Sequence, residues 1–425
     1  MRILLLNTCF PPMARSAAHL FHDLGCYLVA RGHQVSVVTE FPWRRLGCAE
    51  FAAKYRNARF WLRETMDGMD VMRVRRFPFR EGSLIGRGIN ALLLPFTFYL
   101  GARSTGQKDV ALVYSPPLTL GMAAFLLQRL HHVPFVFNVQ DITPQDLIDL
   151  GLMKDPLLIC FFEWMERFTY AQAACIVVHS EGNRQYLITQ RSVSPDKVVV
   201  IPNWVDIDLI RPSDRLNGFR EKHGLGTSFL VCYAGSMGYA QDLNPIIQAA
   251  KELQEYEDIL FLVIGEGVRA SEWRQKVERL RLRNVRFLPL QPKTLYPSIV
   301  SASDVGVVPL TEELRTPVVP AKLLDFMAGD RPVIATVNLD GDTSRIIREA
   351  NCGYALAPDD GQGVAEAILA LYHDQSMARQ LGSNGRAYAE SHFSLKVCTT
   401  QYEELFRQIV RKQAICQPKA GPRRV

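Results

Sequence analysis

Short runs of aliphatic and β-branched residues, each followed by a loop and a helical stretch, recur along most of this chain. The first unit has a strand at Ile3–Asn7, helical spacing of apolar residues over Ala17–Ala30, and a second strand at His33–Thr39. Elements in this order predict a right-handed crossover and a parallel sheet. Ligands of such sheets bind at the carboxyl ends of the strands, so the loops there hold the candidate site residues.

The same alternation occurs twice, which predicts an α/β protein with two doubly wound domains facing each other across a cleft. Residues 207–227 are polar and lack strong periodicity, so we place the domain junction there. We predict a first domain over residues 1–205 and a second over residues 206–385. Residues 386–425 are predicted to form C-terminal helices and a tail that pack back toward the first domain.

Positive charge is concentrated in the first half of the chain. Residues 1–200 contain 22 Lys and Arg against 16 Asp and Glu, whereas the remaining residues contain 27 of each, so the first half holds the whole net charge of +6. Lys54–Arg87 carries nine basic and four acidic residues, and an uncharged run, Gly88–Ala102, follows it. This asymmetry indicates an anionic partner for the first half.

The uncharged run Gly88–Ala102 has two interpretations. Its fifteen residues fall short of the roughly 20 that span a bilayer, and Pro95 interrupts it. It is either an apolar helix that lies in the lipid headgroup region beside flanking arginines, or a core helix with solvated flanks.

The nine cysteines are scattered, with no CxxC pair and no clustered histidines. That distribution argues against a zinc site and predicts free, mostly buried thiols of a reducing compartment. The first seven residues, MRILLLN, have the pattern of a strand and lack the length and cleavage site of a signal peptide. We therefore expect a cytoplasmic protein.

The stretch Pro317–Thr336 contains the strongest candidate for a binding site. Its centre predicts a short helix that begins after Pro320, and Lys322 and Asp325 lie three residues apart on one face near its start. A helix start exposes unpaired N–H groups and partial positive charge, which suit an anion such as a diphosphate. Taken alone, the same two residues are also consistent with an ordinary solvated ion pair.

Eight segments, in order, resemble the retaining family-4 glycosyltransferases, and among them the branch that assembles cell-surface polysaccharide, such as the N-acetyl-fucosaminyl transferases. They include RGHQVSVVT at 31–39, IPNWVD at 201–206, VIGEG at 263–267, SASDVGVVPL at 301–310 and PAKLLDFMAGDRPVIAT at 320–336. The resemblance covers nearly the whole chain. It implies the GT-B fold of two Rossmann-like domains, with the nucleotide-sugar donor held mainly by the second domain and the acceptor by the first.

In the second domain, the resemblance implies a donor site built from three loops and one helix start. Lys322 falls where this branch keeps a lysine and is the implied catalytic contact to the diphosphate. Asp325 falls on the second glutamate of the family's E-x7-E motif, which contacts ribose. The implied donor-binding residues of this domain are Gly235, Ser236, Met237, Gly265, Glu266, Gly267, Leu288, Pro289, Pro320 and Asp325.

In the first domain, the resemblance implies two further segments of the site. Arg15 and Ser16 lie in the loop that usually approaches the donor. Gln140 and Asp141 occupy the segment that holds an important histidine in many relatives, so they are the implied catalytic residues on the acceptor side. Gln140 cannot act as a general base, which is a departure from the family pattern.

Other departures affect the phosphate and sugar contacts. The first glutamate of E-x7-E is replaced by Pro317, and the Arg and Lys-Gly pair usual after Gly235 is missing. No Asp-x-Asp pair occurs in a metal-binding loop, which agrees with the family's metal-independent donor binding. The nucleotide sugar is a substrate, so no cofactor is expected.

The resemblance implies retaining transfer of a hexosyl or N-acetylhexosaminyl unit from a UDP-sugar, favoured over a GDP-sugar, during lipopolysaccharide or other surface polysaccharide biosynthesis. The implied partners are a polyprenyl-diphosphate-linked glycan acceptor and the anionic inner face of the cytoplasmic membrane, where the protein would be peripheral, with no nucleic acid. Two alternatives remain at this point: a nucleotide-sugar epimerase or hydrolase on the same fold, and a catalytically inactive membrane-associated binding subunit.

Overall fold

Two separate β-sheets, each packed on both faces, organise the computed structural model of this chain. The structure describes residues 1–13, 16–42, 55, 58, 60–75 and 84–416. The predicted fold class, two doubly wound α/β domains, is confirmed.

The first sheet has eight strands in the order β3-β4-β2-β1-β5-β6-β7-β8, parallel except at the β3–β4 edge. Its strands are β1 (Arg2–Leu6), β2 (Gln34–Glu40), β3 (Trp61–Met66), β4 (Met69–Val74), β5 (Val110–Ser115), β6 (Phe135–Val139), β7 (Cys175–Val178) and β8 (Val198–Val200). Its helices are α1 (Ser16–Ala30), α2 (Leu84–Ser104), α3 (Thr119–His131), α4 (Gln145–Asp149), α5 (Pro156–Gln172) and α6 (Glu181–Arg191).

The hairpin β3–β4 forms one edge of the first sheet, and its two strands are antiparallel. A two-residue turn, Asp67-Gly68, joins the strands with φ of 48° and 79°. Positive φ at both central positions is typical of the type I′ hairpin turn, for which Asp-Gly is a common sequence signal.

The uncharged run Gly88–Ala102 lies inside α2, with Pro95 within the helix. Leu94 and Phe98 are buried in the core, whereas Phe96 and Leu100 are about half exposed. The core-helix interpretation therefore holds for one face of this helix. Five of the nine basic residues in the run Lys54–Arg87 lie outside the described residues, namely Lys54, Arg56, Arg59, Arg76 and Arg80. Within the described part of the chain, no helix combines the length and apolar character needed to cross a bilayer.

The second sheet has six parallel strands in the order β11-β10-β9-β12-β13-β14. The strands are β9 (Phe229–Ala234), β10 (Ile259–Ile264), β11 (Val285–Leu288), β12 (Val305–Pro309), β13 (Val333–Thr336) and β14 (Gly353–Leu356). The helices are α7 (Gly218–His223), α8 (Asn244–Glu252), α9 (Ala270–Arg279), α10 (Tyr296–Ala302), α11 (Ala321–Ala328), α12 (Asp342–Ala350), α13 (Gly361–His373) and α14 (Gln375–Tyr388).

The last helix, α15 (Leu395–Cys416), returns to the first domain, where Tyr402 and Phe406 are buried in one of its two cores. Glu403 on this helix accepts hydrogen bonds from His33 Nε2 at 2.9 Å and Arg31 Nε at 3.2 Å. Burial would raise the pKa of Glu403, but bonds from Arg407, His33 and Arg31 outweigh it and lower the pKa to about 2. Arg31 and His33 of the RGH segment therefore hold the final helix against the first domain through hydrogen bonds to Glu403.

Candidate functional site

Lys322, in the first turn of α11, lies at the carboxyl edge of the second sheet. Its ammonium is 4.6 Å from the centre of the Tyr233 ring and 3.4 Å from the tyrosine hydroxyl. A Cβ atom built on Gly235 would lie 3.3 Å from the lysine Cε, so a glycine at this position leaves room for the lysine stem. Burial lowers the pKa of Lys322 to about 8, against the opposing effect of Asp325.

Among the described residues, the ammonium of Lys322 has an aromatic face and a hydroxyl as neighbours and no carboxylate at ion-pair distance. A cation–π contact offsets part of the cost of desolvating a cation but leaves its charge uncompensated. A site of this kind is complementary to an anion that arrives from solution.

The start of α11 strengthens this preference. Pro320 occupies the N-cap position and offers no side-chain capping bond. The N–H of Leu323 donates to the Pro320 carbonyl at 3.0 Å, while the N–H groups of Ala321 and Lys322 have no protein acceptor among the described residues. Unpaired N–H groups and the helix dipole favour a bound anion at the same point as the lysine.

Asp325, one turn further along α11, carries a carboxyl group with a strongly shifted pKa. Burial raises the pKa to about 7, although a hydrogen bond with Tyr296 and the charges of Lys293 and Lys322 act to lower it. Near neutral pH, this group is therefore divided between its charged and neutral forms. A carboxylate here can accept hydrogen bonds from sugar hydroxyls, and the neutral form can also donate one.

The two glycine loops that follow β9 and β10 are pressed together. A Cβ atom on Gly265 would lie 1.9 Å from the Gly235 carbonyl oxygen, and one on Gly267 would lie 2.1 Å from the Met237 carbonyl oxygen. Gly265 also has φ of +150°, a conformation that L side chains rarely adopt. Backbone contact between these loops therefore excludes side chains at both glycines.

Three backbone N–H groups along this edge are already used in hydrogen bonds within the protein. The N–H groups of Gly235, Met237 and Gly265 each donate to a carbonyl of the neighbouring strand or loop, at 2.9, 2.9 and 3.2 Å. The parallel pairing of β9, β10 and β11 continues past the strand ends, so these three N–H groups are not free to bind a ligand. Ser236, which is exposed, keeps an N–H without a protein acceptor among the described residues.

The remaining predicted donor residues line the same edge. Glu266 is exposed next to the glycine contact. Leu288 ends β11, is half-buried, and accepts the Gly265 N–H through its carbonyl group, while Pro289 after it is exposed. The structure thus brings all the predicted second-domain residues to one sheet edge.

In the first domain, Gln140 follows β6 and belongs to a network of neutral amides. Its Nε2 donates to Asn138 Oδ1 at 2.8 Å and to Asn203 Oδ1 at 2.9 Å, and its Oε1 accepts from Asn203 Nδ2 at 2.7 Å. Asn138 in turn donates to the Tyr402 hydroxyl at 2.6 Å. Both ends of the Gln140 side chain are therefore fixed by protein groups.

Asp141 is solvent-exposed at the same strand end, yet surrounding protein atoms displace part of its solvation. Desolvation raises the pKa of this carboxyl to about 6, with a smaller contribution from Asp146. Ser16 is the first residue of α1, and its side chain is not described. Arg15 lies outside the described residues.

The two domains meet where helices α6 and α12 begin. Asp342 Oδ1 accepts the Gly182 N–H at 3.1 Å, and Asn183 Nδ2 donates to the Pro317 carbonyl at 2.8 Å. His179 is buried just before α6, and burial lowers its pKa to about 4. Pro317 thus forms an interdomain contact through its backbone carbonyl group.

Several residues of this site were missed by sequence reasoning. Tyr233, Tyr296 and Asn138 lie in buried strand or helix segments whose pattern indicated only core packing. The signal that could have drawn attention to Asn203 was its place in the IPNWVD segment. The contacts of Gly182 and Asn183 had no local signal because their partners are more than 130 residues away in the chain.

Two family models match this chain. The model described as "Glycosyl transferase 4-like domain" matches residues 17–204, and the model described as "Glycosyl transferases group 1" matches residues 228–374. Together they cover every strand of the two sheets except β1, and most of the candidate site residues.

Individual proteins are similar over most of their length. WbjE of Pseudomonas aeruginosa, named as a glycosyltransferase, is 25% identical over 80% of this chain and 85% of its own length. WcaI of Escherichia coli K12, named for colanic acid biosynthesis, is 22% identical over 96% of this chain and 99% of its own length. The Anabaena protein Alr3699/HepE, solved in complex with UDP-glucose, superposes with a TM-score of 0.69 at 17% identity, over 96% of this chain and 100% of its own.

Proposed function

The chain belongs to the family-4 glycosyltransferases of GT-B fold, and from this premise we propose that it transfers a hexosyl or N-acetylhexosaminyl unit with retention of anomeric configuration. The proposed donor is a UDP-sugar, in preference to a GDP-sugar, and the proposed acceptor is a polyprenyl-diphosphate-linked glycan. A role in polysaccharide biosynthesis is supported by the name of the E. coli relative, and a UDP-sugar donor by the ligand of the Anabaena protein.

The observation that carries this proposal is the uncompensated ammonium of Lys322 at the uncapped start of α11. A nucleoside diphosphate placed there would receive one full positive charge and the unpaired N–H groups of Ala321 and Lys322. These groups stabilise the negative charge that develops on the leaving diphosphate as the sugar becomes cationic. We propose that they perform this task without a metal ion, so that EDTA leaves donor binding unchanged.

On the acceptor side, the neutral Gln140 keeps the neighbouring Asn138 and Asn203 side chains in place and accepts no proton. We propose a front-face substitution in which the departing phosphate oxygen accepts the proton of the acceptor hydroxyl. Asp141, with a pKa raised to about 6, would accept a hydrogen bond from the acceptor and orient it.

A thermal-shift screen of the full chain with UDP, GDP and their sugars tests the donor assignment. Ligand at 100 times its Kd adds about 2.7 kcal/mol to the free energy of unfolding. We expect a larger shift with UDP compounds than with GDP compounds. No shift with any nucleotide would favour an inactive binding subunit. Hydrolysis or epimerisation of the donor in the absence of acceptor would favour the alternative enzyme class.

We also propose that the protein binds peripherally to an anionic membrane surface, and an exposed aromatic row on α5 supports this. Leu157 is 82% and Trp164 is 50% exposed. The rings of Phe161, Trp164 and Phe168 follow one another along the outer face of the helix, with centroids 6.2 and 5.6 Å apart. An amphipathic helix that presents such a face can lie in the headgroup region of a bilayer.

Co-sedimentation of the purified protein with anionic and neutral vesicles tests this surface. We expect binding to anionic vesicles that decreases at high salt, because the screening length falls to about 3 Å at 1 M. Phe161→Ser with Trp164→Ser should reduce it, whereas Leu209→Ser with Leu216→Ser, exposed apolar residues near the domain junction, should not. Equal binding of the two double variants would contradict the assignment.

The basic run Lys54–Arg87 is less suitable for that test. Arg76 and Arg80 lie outside the described residues. The Arg75 guanidinium donates to the Tyr55 carbonyl at 2.9 Å and lies over the Phe41 ring, so replacing it would disturb the first domain itself.

A further inference from the structure

A cluster of three side chains on the outer edge of the first domain has no part in the proposed transfer reaction. His22 and Cys26 lie one turn apart on α1, and Asp67 lies in the turn of the β3–β4 hairpin. One potential ligand atom from each residue lies within 4.8 Å of the other two. Of the described cysteines, Cys26 is half-buried, Cys160 is exposed, and the others are buried.

The contacts around His22 converge on one ring nitrogen. Nε2 lies 2.8 Å from Asp67 Oδ2 and 3.6 Å from Cys26 Sγ. A single nitrogen has either one proton or one lone pair, so it cannot serve both neighbours fully. A cation between the three atoms would satisfy all of them, because a thiolate, a neutral imidazole and a carboxylate are the ligands that Zn²⁺ prefers.

The opposite side of the ring also fits such a site. Asp23 Oδ1 lies 3.7 Å from His22 Nδ1. Histidines that bind metal usually donate their other N–H to a carboxylate, which fixes the tautomer and directs the free lone pair toward the metal. At 3.7 Å, Asp23 is an ion-pair neighbour of His22 and must come roughly 0.7 Å closer to accept that hydrogen bond.

The spacing of the Cys26–His22 pair is close to that of a zinc site, whereas Asp67, within 4.8 Å of both, must move. Bond lengths of about 2.3 Å to sulfur and about 2.0 Å to nitrogen, at tetrahedral angles, separate the two ligand atoms by roughly 3.5 Å. The observed 3.6 Å agrees, while Asp67 must withdraw by a few tenths of an ångström from its hydrogen bond. The Asp67 side chain is 59% exposed at a hairpin tip and has room to do so. Since Cys26 Sγ is also 3.9 Å from Nδ1, the ring must turn slightly.

We propose that His22, Cys26 and Asp67 form a zinc-binding site, with Asp23 as the carboxylate that orients His22. The bound ion would add a bond between α1 and the β3–β4 hairpin, which already pack against each other where Gly25 faces Met69 and Val29 faces Gly68. The sequence contains no CxxC or clustered-histidine motif that would indicate this site. One of its three ligands, Asp67, comes from a hairpin about 40 residues further along the chain.

Cobalt binding to the reduced, chelator-treated full chain tests the proposal. Co²⁺ serves as a spectroscopic probe for Zn²⁺ because a cobalt–thiolate bond gives a near-ultraviolet charge-transfer band. We expect one equivalent of Co²⁺ to produce this band and Zn²⁺ to abolish it by displacement. Cys26→Ser should remove the band, and Cys160→Ser, which changes an exposed cysteine outside the cluster, should retain it.

Two further variants keep the test decisive even if Cys26→Ser fails to fold. Asp67→Asn removes a ligand, and asparagine tolerates the left-handed φ of 48° at this turn, so the hairpin is preserved. Asp23→Asn should weaken metal affinity by about 10- to 100-fold, as outer partners of metal ligands do. Absence of the band in the wild-type chain, or equal affinity in the wild type, Asp67→Asn and Asp23→Asn, would overturn the proposal.

Discussion

The two sides of the candidate site occupy equivalent positions in two similar domains, but the second has the cation of Lys322 at its centre and the first has a neutral amide network beside Asp141. At the carboxyl edge of the second sheet, Lys322 and Asp325 have pKa values shifted toward neutrality by burial. At the carboxyl edge of the first sheet, Gln140 lies in a network of uncharged amides whose hydrogen bonds are already satisfied. The doubly wound fold therefore determines where a site lies, at the carboxyl ends of the strands, but not whether the side chains at its centre are charged.

This difference has an energetic meaning. A desolvated ammonium without a counter-ion destabilises the unliganded protein, and a bound anion recovers that energy. A satisfied amide network has no net charge for a ligand to neutralise, so a bound ligand does not stabilise it in this way. The network instead keeps its side chains in one geometry. We infer that the second domain provides binding energy for the donor, and the first domain provides orientation for the acceptor.

The largest expected effect comes from removing the cation. Lys322→Ala should weaken binding of the nucleotide-sugar donor by roughly 1.5–3 kcal/mol, since it removes one charge-assisted contact. In the wild type, donor affinity should also fall as pH rises above about 8, where the ammonium loses its proton. Calorimetric titration with UDP measures both. Lys251→Ala, which changes an exposed lysine of α8, is the matched control, and equal affinity in the two variants would contradict the role of Lys322.

The next largest effect is expected from a change in the neutral amide network of the first domain. Gln140→Glu replaces the amide donor by a carboxylate that faces the side-chain oxygens of Asn138 and Asn203, so both lose a hydrogen bond. We expect a loss of about 1–3 kcal/mol in the free energy of unfolding, with donor affinity unchanged. Urea denaturation measures the loss, with Gln185→Glu at an exposed position of α6 as control. A weakened donor affinity of Gln140→Glu would contradict the assignment of donor binding to the second domain alone.

The smallest effect concerns Asp325. If its carboxylate accepts hydrogen bonds from ribose, donor affinity should fall as pH is lowered through about 7, because protonation removes an acceptor. Asp325→Asn should weaken binding by about 0.5–1.5 kcal/mol and abolish this pH dependence. Titrations with ribose and 2-deoxyribose nucleotides, beside the exposed control Asp340→Asn, measure it. Equal loss for both sugars would exclude the ribose contact.

Much of this protein is determined by local sequence patterns. The alternation of buried strands and helical stretches predicts the two doubly wound domains, because strand and helix periodicity are local properties. The placement of candidate residues after strand ends follows from the same alternation, since parallel strands bring their carboxyl ends to one edge. Pro320 followed by helix-forming residues predicts the helix start, and the three-residue spacing of Lys322 and Asp325 places them on one face.

Only the tertiary structure decided the charge state and the partners of those residues. The pKa shifts of Lys322 and Asp325 result from desolvation by segments far away in the sequence, including the strand that carries Tyr233. The N–H groups of Gly235 and Met237 are used by a neighbouring strand and loop, a pairing that local propensity does not encode. Electrostatics and hydrogen bonding depend on which groups become neighbours after the chain has folded, whereas secondary structure depends mainly on which residues are neighbours along it.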